Sequence, residues 1–426
     1  MEPIRNKSVV AGKIILPACV FIFLSVMGVC SLFEKEYRLE IENRASNLYP
    51  EWQDSLWIEG EYQRKVNDAV ADQLPLAMDA KKDFYWLRNG VLNYVQKRLY
   101  TGYTDYYVHF RNGIYLYGDK DSPYLLYKPN KLDEKLQGNI QTMAKKINDA
   151  ASRHQDKAFY VYYIERDIDI RYDTKKRTGI YEFLKDNLSL AQNHIACFKV
   201  RDFEEYKRDF NKTDHHWQYI GSYKGYKEVF HLLNLDKEGE TLNKPITPNS
   251  SYGVSDDCPP KLVEGYKPVL ISRLYHDSKC RITGTPDKFY DKFYVYVFDY
   301  VPMKIIINGE KGEYGNQGEF LKNKDIALEF NLKYGTFYGG DEGEIIFDTG
   351  RKNRPSILIF GDSFDNAILK LIAGHFNKTY SIDLRNYEGI MGKPFFIDKY
   401  MKTHKIDKVL FIGNQGFFEQ KAFRNF

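Results

Sequence analysis

Two short segments, far apart in the chain, carry side chains that could serve as a nucleophile and as its base. The first is Gly361-Asp362-Ser363, which lies between a strand-like run and a strongly apolar run and so predicts a strand–turn–helix junction. A serine at the first turn of a helix lies beside unpaired backbone N–H groups, which can stabilise an oxyanion. Alternatively, Asp362 or Ser363 only caps the helix that follows. This motif alone leaves both interpretations open.

The second segment is Asp214-His215-His216-Trp217. A serine hydroxyl becomes a good nucleophile when a base takes its proton, and that base needs a carboxylate to orient it. Residues two apart do not face each other on a helix, so Asp214 and His216 can pair only in a loop that enters a helix. Two alternatives are an N-cap role for Asp214 with solvated histidines, and a metal site. We predict no metal site, because no further ligand cluster lies nearby in the sequence.

Polar residues follow several predicted strands from about residue 130 onward. From about residue 130 strands alternate with helices, which predicts a mainly parallel sheet covered on both faces. Ligands bind at the carboxyl edge of such a sheet. The residues expected at that edge are Glu165, Arg166, Asp214, His215, His216, Ser363, Arg385, Asn386, Tyr387, Asn414 and Gln415. Their convergence is the main argument for a reactive site.

The segment Ile14–Phe33 contains 20 residues without a charge, enough for a helix of about 30 Å, the thickness of a bilayer core. Arg5, Lys7 and Lys13 precede it, so we expect the N-terminus in the cytoplasm and the remaining chain outside. A cleaved signal peptide is the alternative. Outside the cytoplasm, Cys258 and Cys280 could form a disulfide or stay as free thiols, and the sequence leaves both alternatives open.

The predicted organisation has six parts, with the two parts of the α/β core separated by a segment rich in Pro, Gly and Asn turns. They are a cytoplasmic tail (1–13), a transmembrane anchor (14–33), a helical stalk (34–100), the first part of the core (101–243), a β-rich insertion (244–350) and the second part of the core (351–426).

The near-neutral balance of 62 basic and 58 acidic residues excludes a strongly basic nucleic-acid binder. The 35 tyrosines suit either a sugar-binding surface or aromatic cores and strands. The nearest aromatic candidates for an open sugar-binding groove are Tyr387 and, next to Gly339-Gly340, Tyr334, Phe337 and Tyr338.

The segment Thr213–Trp217, together with the later Gly-Asp-Ser-Phe turn, resembles the DHHW proteins, relatives of the SGNH-hydrolase-like O-acetyltransferases that acetylate alginate. The resemblance covers roughly residues 100 to 426. It implies a three-layer α/β/α domain in which Ser363 is the nucleophile, His216 the base and Asp214 its orienter. Secreted SGNH esterases instead carry Asp-x-x-His after the serine, and this chain lacks that arrangement.

The resemblance implies a membrane-anchored, extracytoplasmic O-acetyltransferase that acts on an exopolysaccharide or cell-wall glycan. Arg385, Tyr387, Asn414 and His215 are then candidates for substrate binding. No cofactor is expected, because the chain has no Gly-rich phosphate loop for coenzyme A. A multi-span membrane O-acyltransferase would supply the acetyl group. An acetyl esterase and a non-catalytic glycan-binding or scaffold subunit are the alternative functions.

Overall fold

The computed structural model describes residues 61–73, 124–212, 214–245, 298–315 and 338–419, together with short pieces at 21–22, 25–26, 28–30, 32, 38–39, 44–45, 47–50, 52, 114–118, 261–262, 294–296 and 334. The chain divides into two compact units, Met1–Asn89 and Gly90–Phe426.

The described residues of the first unit include the helix α1 (Glu61–Gln73) and a hairpin of two short strands, β1 (Arg38–Leu39) and β2 (Arg44–Ala45). Asn47 donates from its backbone and its side chain to the Asp72 carboxylate near the end of α1, at 2.8 and 2.7 Å. Most of the predicted transmembrane segment 14–33 lies outside the described residues. Within the described part of the chain, no helix is long and apolar enough to cross a membrane.

The second unit alternates strands and helices as its sequence predicts. Its strands are β3 (Ile114–Tyr117), β4 (Tyr124–Tyr127), β5 (Ala158–Ile164), β6 (Ile170–Arg171), β7 (Lys176–Arg177), β8 (Ile195–Phe198), β9 (Lys261–Leu262), β10 (Tyr294–Val295), β11 (Lys304–Ile307), β12 (Glu310–Lys311), β13 (Glu344–Asp348), β14 (Ile357–Phe360), β15 (Lys378–Ile382) and β16 (Lys408–Gly413). Its helices are α2 (Glu134–Arg153), α3 (Ile180–Asp186), α4 (Phe203–Asp209), α5 (Tyr219–Leu232), α6 (Leu369–Ala373), α7 (Tyr387–Met391), α8 (Ile397–His404) and α9 (Gln415–Phe418), with 3-10 turns at Gln192–His194 and Asp365–Ala367.

One eight-stranded sheet organises this unit, in the order β12-β11-β13-β15-β14-β16-β5-β8. The five strands from β15 to β8 are parallel, which confirms the predicted α/β fold with a mainly parallel sheet. Alternate residues of β16 enter different hydrophobic clusters on the two faces, with Leu410 in one and Val409 in the other. The carboxyl ends of the parallel strands therefore meet at one edge, between two apolar layers.

The predicted β-rich insertion contributes strands to this same sheet. β11, β12 and β13, all within residues 244–350, extend it in antiparallel pairing, with β13 beside β15. Ile345 and Phe347 of β13 are buried, and their burial accounts for the attachment. A hairpin turn joins β11 and β12 at Asn308-Gly309, where both residues have positive φ. Cys258 and Cys280 lie outside the described residues.

Candidate active site

The nucleophile turn, residues 361–364, follows β14 directly. Gly361 is required there, because a Cβ atom at this position would lie 2.0 Å from Oδ2 of Asp365. The Phe364 N–H donates to Asp362 Oδ1 at 3.0 Å, and the Asp365 N–H donates to the Asp362 carbonyl at 3.1 Å. The helix that the sequence predicts after this turn is divided into the 3-10 turn Asp365–Ala367 and α6. Half-buried Ser363 is thereby held at the carboxyl edge of the sheet.

The base loop, residues 214–217, lies between α4 and α5 and is not helical, as the pairing argument requires. Buried Asn211 fixes its backbone, donating from its main chain and its side chain to the His216 carbonyl at 3.0 and 3.1 Å. Trp217 is completely buried, and its indole occupies the space that a side chain at Gly225 would need. The loop is therefore anchored at the His216 carbonyl and at the Trp217 side chain.

Three side chains from these two segments form one hydrogen-bonded chain. His216 Nε2 lies 2.6 Å from Ser363 Oγ, and His216 Nδ1 lies 2.7 Å from Asp214 Oδ1. Because a carboxylate only accepts, Nδ1 carries the proton and Nε2 is free to accept the serine proton. The exposed fractions of the Asp214 and His216 side chains are 15% and 10%. The arrangement suits proton transfer from the serine to a partly desolvated imidazole.

His215 lies beside this chain of hydrogen bonds. Its ring centroid is 4.0 Å from that of His216, and its Nδ1 lies 3.3 Å from Asp214 Oδ1. Asp214, His215 and His216 each offer a ligand atom within 4.8 Å of the others, so the trio has the geometry of a metal site as well. The sequence-based prediction that these three residues bind no metal ion therefore remains untested.

Arg385 is an internal ion-pair partner. Its Nε donates to both oxygens of Asp383, at 2.9 and 3.0 Å, and its Nη2 lies 3.1 Å from Asp341 Oδ2. The sequence places Asp383 only two residues away, but Asp341 reaches Arg385 through the pairing of β13 with β15. Two carboxylates thus hold the guanidinium that was predicted to bind substrate, although 30% of the side chain stays exposed.

Tyr387 and Asn414 are also occupied by internal contacts. Tyr387 is 3% exposed and meets the ring of Phe395 edge to face at 5.1 Å, so the predicted open stacking face for a sugar is absent. Asn414 is buried, and its Oδ1 accepts the Gly416 N–H at 2.7 Å as the N-cap of α9. Asn414 therefore shapes the site by fixing the end of β16.

An acidic pocket lies behind the nucleophile turn and was not predicted from the sequence. Its lining includes five carboxylate side chains, namely Asp341, Glu342, Asp362, Asp365 and Asp383. Burial raises the pKa of Asp362 to about 6, against the opposing charge of Arg385. Burial and then the charge of Asp362 raise the pKa of Asp365 well above its usual range. Asp365 Oδ2 has no hydrogen-bond partner among the described residues, which is consistent with a neutral carboxyl group.

We predict that Asp362→Asn stabilises the protein at neutral pH but not at pH 4. The folded state binds the Asp362 proton more tightly than the unfolded state, because the pKa is about 6 in the fold and 3.8 in the free group. The folded protein is therefore destabilised as the pH rises from 3.8 to about 6. Over that range the cost approaches roughly 3 kcal/mol, and the amide avoids it while keeping an acceptor for Phe364. Denaturant unfolding of parent and variant at pH 4 and pH 7.5 measures the difference. A difference that does not change with pH would contradict the prediction, and Asp156→Asn on the surface serves as the control.

Tyr334 is the residue whose role the sequence interpretation missed. It was predicted as an aromatic platform for sugar, yet its ring is 4% exposed and stacks on His216, with centroids 4.0 Å apart and planes 3° apart. Tyr338, assigned the same role, is buried as well. Phe337, the third such candidate, lies outside the described residues. Sequence periodicity cannot show that Tyr334 stacks on His216, which is 118 positions away. Tyr338 followed by Gly339-Gly340 was the signal that this segment lies close to the site.

The sequence matches no known family model and no curated protein. Solved structures do resemble it. A DHHW family protein from Eubacterium siraeum has 16% identity and a TM-score of 0.51, and the alignment covers 74% of this chain and 95% of that one. Bacillus cereus PatB1, determined with a sulfonyl adduct, has 18% identity and a TM-score of 0.51 over 73% of this chain and 98% of its own. This chain therefore shares its fold with a DHHW family protein, as the resemblance in its sequence predicts.

Proposed function

We propose that this protein is an extracytoplasmic O-acetyltransferase that moves an acetyl group through Ser363 to hydroxyls of an exopolysaccharide or cell-wall glycan. The observation that carries the proposal is the hydrogen-bonded chain from Ser363 through His216 to Asp214. These residues come from segments separated by 147 positions, and a merely capping role for Ser363 would not require that contact. The fold shared with a DHHW family protein supports the same interpretation.

The geometry allows a two-step transfer. In the first step Ser363 Oγ attacks the acetyl carbonyl while its proton passes to His216 Nε2, and the donor's leaving group departs with that proton. In the second step a sugar hydroxyl attacks the acetyl ester and gives its proton to Nε2. The Ser363 oxygen then leaves and regains the proton. Asp214 stabilises the imidazolium in both steps through Nδ1.

The acetyl donor has to reach this site from outside the chain. No cofactor is proposed, and the acetyl group would come from a multi-span membrane O-acyltransferase that carries it across the membrane. We further propose that Ile14–Phe33 anchors the chain, with the N-terminus in the cytoplasm, because its 20 uncharged residues follow a basic segment. Anchoring would keep the catalytic unit close to such a donor.

Two other functions are distinguished by their products. An acetyl esterase would use the same residues, with water in place of the sugar hydroxyl. A non-catalytic glycan-binding or scaffold subunit would be favoured by a serine far from its base, but Ser363 and His216 are 2.6 Å apart.

The test is acetyl transfer by the full-length protein in detergent, with 4-nitrophenyl acetate as donor. We expect oligomannuronate or chito-oligosaccharide to become acetylated while release of free acetate falls, because the sugar hydroxyl competes with water for the acyl-enzyme. Mass spectrometry of the sugar and an acetate assay measure the two products. Acetate release that is unaffected by sugar would identify an esterase, and no turnover with either acceptor would favour the scaffold. The exposed Ser189→Ala variant is the matched control for reagent damage.

A further inference from the structure

Aromatic rings contact the imidazole of His216, and the ring of Tyr334 is the one that lies parallel to it. The two rings are parallel within 3°, with centroids 4.0 Å apart, whereas Phe364 meets His216 at 48° and 5.0 Å. A parallel stack at this distance opposes rotation of the imidazole about its bond to Cβ. Such rotation would break the bond to Asp214 or the bond to Ser363.

The hydroxyl of Tyr334 links the two segments that carry the reactive side chains. It accepts a hydrogen bond from Trp217 Nε1 at 3.2 Å, in the residue that follows His216. It donates to the Phe364 carbonyl at 3.2 Å, in the residue that follows Ser363, and accepts from the Ala367 N–H at 3.3 Å. One buried phenol therefore ties the base loop to the nucleophile turn.

We infer that Tyr334 is a positioning residue for the proposed acyl transfer, on which this inference rests. Its ring face holds His216 in the plane that joins Asp214 to Ser363, and its hydroxyl fixes the separation of the two segments. The same face also stabilises the imidazolium that forms when His216 takes the serine proton, since a cation is attracted to the face of an aromatic ring. Burial raises the pKa of the phenol well above its usual range, so its hydrogen remains available to Phe364.

The ring and the hydroxyl have separable effects that can be measured without an acetyl donor. Phenylmethylsulfonyl fluoride reacts with an activated serine, forming an O–S bond as fluoride leaves and the proton passes to the base. We propose to measure its rate with Ser363 against pH in the full-length parent, Tyr334→Phe and Tyr334→Leu. The titratable side chains that face His216 within the described residues are Asp214, His215 and Tyr334. Asp362 lies on the nucleophile turn, and Asp365 begins the 3-10 turn that follows it.

For Tyr334→Leu we expect the plateau rate to fall about 3- to 30-fold. The acid limb of the profile should move to lower pH, because the imidazolium loses the ring that stabilises it. Tyr334→Phe keeps the ring, so its acid limb should match that of the parent, with a smaller loss in rate. If the acid limb of Tyr334→Phe lies at the pH of the parent while that of Tyr334→Leu is shifted, a general loss of packing cannot explain the shift.

Tyr226 provides the matched control, since it is a fully buried tyrosine stacked on another histidine outside the site. Its ring lies 6.0 Å from that of His375, and its hydroxyl lies 2.7 Å from His375 Nε2. Tyr226→Leu and Tyr226→Phe should lower stability without moving the acid limb. If both Tyr334 variants behave in this way, or react as fast as the parent, the positioning role is wrong. If the folded parent itself is not sulfonylated at Ser363, the proposed function fails, and this inference fails with it.

Discussion

Ser363→Ala is expected to abolish acetyl transfer, with a loss in kcat/KM of roughly three to six orders of magnitude. The change removes the atom that would carry the acetyl group, which among the described residues is the hydroxyl oxygen that lies 2.6 Å from His216 Nε2. The side chain is half-buried and loses one hydrogen bond, so the variant should fold and unfold much like the parent. Release of nitrophenol and acetylated sugar measures the activity, and circular dichroism measures the fold.

One result would contradict the prediction for Ser363. If Ser363→Ala kept a tenth or more of the parent's acetyl transfer, the nucleophile would have to be another group. Ser189→Ala, which removes an exposed hydroxyl, should retain full activity in the same preparation.

His216→Ala is expected to cost nearly as much as the loss of the serine, because the members of such a unit act together. His215→Ala should cost much less, since the ring nitrogen that lies 2.6 Å from Ser363 Oγ belongs to His216, whereas His215 approaches Asp214 at 3.3 Å. The two histidines are adjacent in sequence and similarly buried, so each variant is the other's control. Steady-state kinetics of both variants at one pH make the comparison. A larger loss for His215→Ala than for His216→Ala would identify His215 as the base.

The arrangement of the base loop could be predicted because local geometry restricts it. Residues 214 and 216 cannot pair on a helix, so the demand for a carboxylate beside the base requires a loop, and the structure contains one. The convergence of the loop with Ser363 followed from the parallel sheet, whose strand ends meet at one edge. Both arguments depend on residue type and chain direction, which a sequence contains.

The environment of the site could not be predicted, because it depends on long-range neighbours. Arg385 was expected to face substrate, but antiparallel pairing of β13 with β15 brings Asp341 next to it. Tyr387 was expected to be open, but Phe395 from the following loop covers its ring. Periodicity identifies strands and helices, yet it does not say which strand lies beside which, and that order decides the partners of buried charges and rings.

The acidic pocket behind the nucleophile turn shows the same limit. Asp362 and Asp365 are close in sequence, and each could have been a solvated helix cap. Their raised pKa values arise because the sheet edge buries them together with Asp341 and Asp383. Only the folded arrangement reveals that the nucleophile turn rests on carboxyl groups that resist ionisation.

The most direct measurement of the central claim is the mass of the peptide that contains Ser363 during turnover. The full-length protein is mixed with 4-nitrophenyl acetate, stopped with acid after a short time and digested. The account predicts that this peptide is heavier by one acetyl group located on Ser363, that the label accumulates without sugar, and that added oligosaccharide removes it. Turnover with acetyl on another residue, or with no acetyl on Ser363 at any time, would contradict the account.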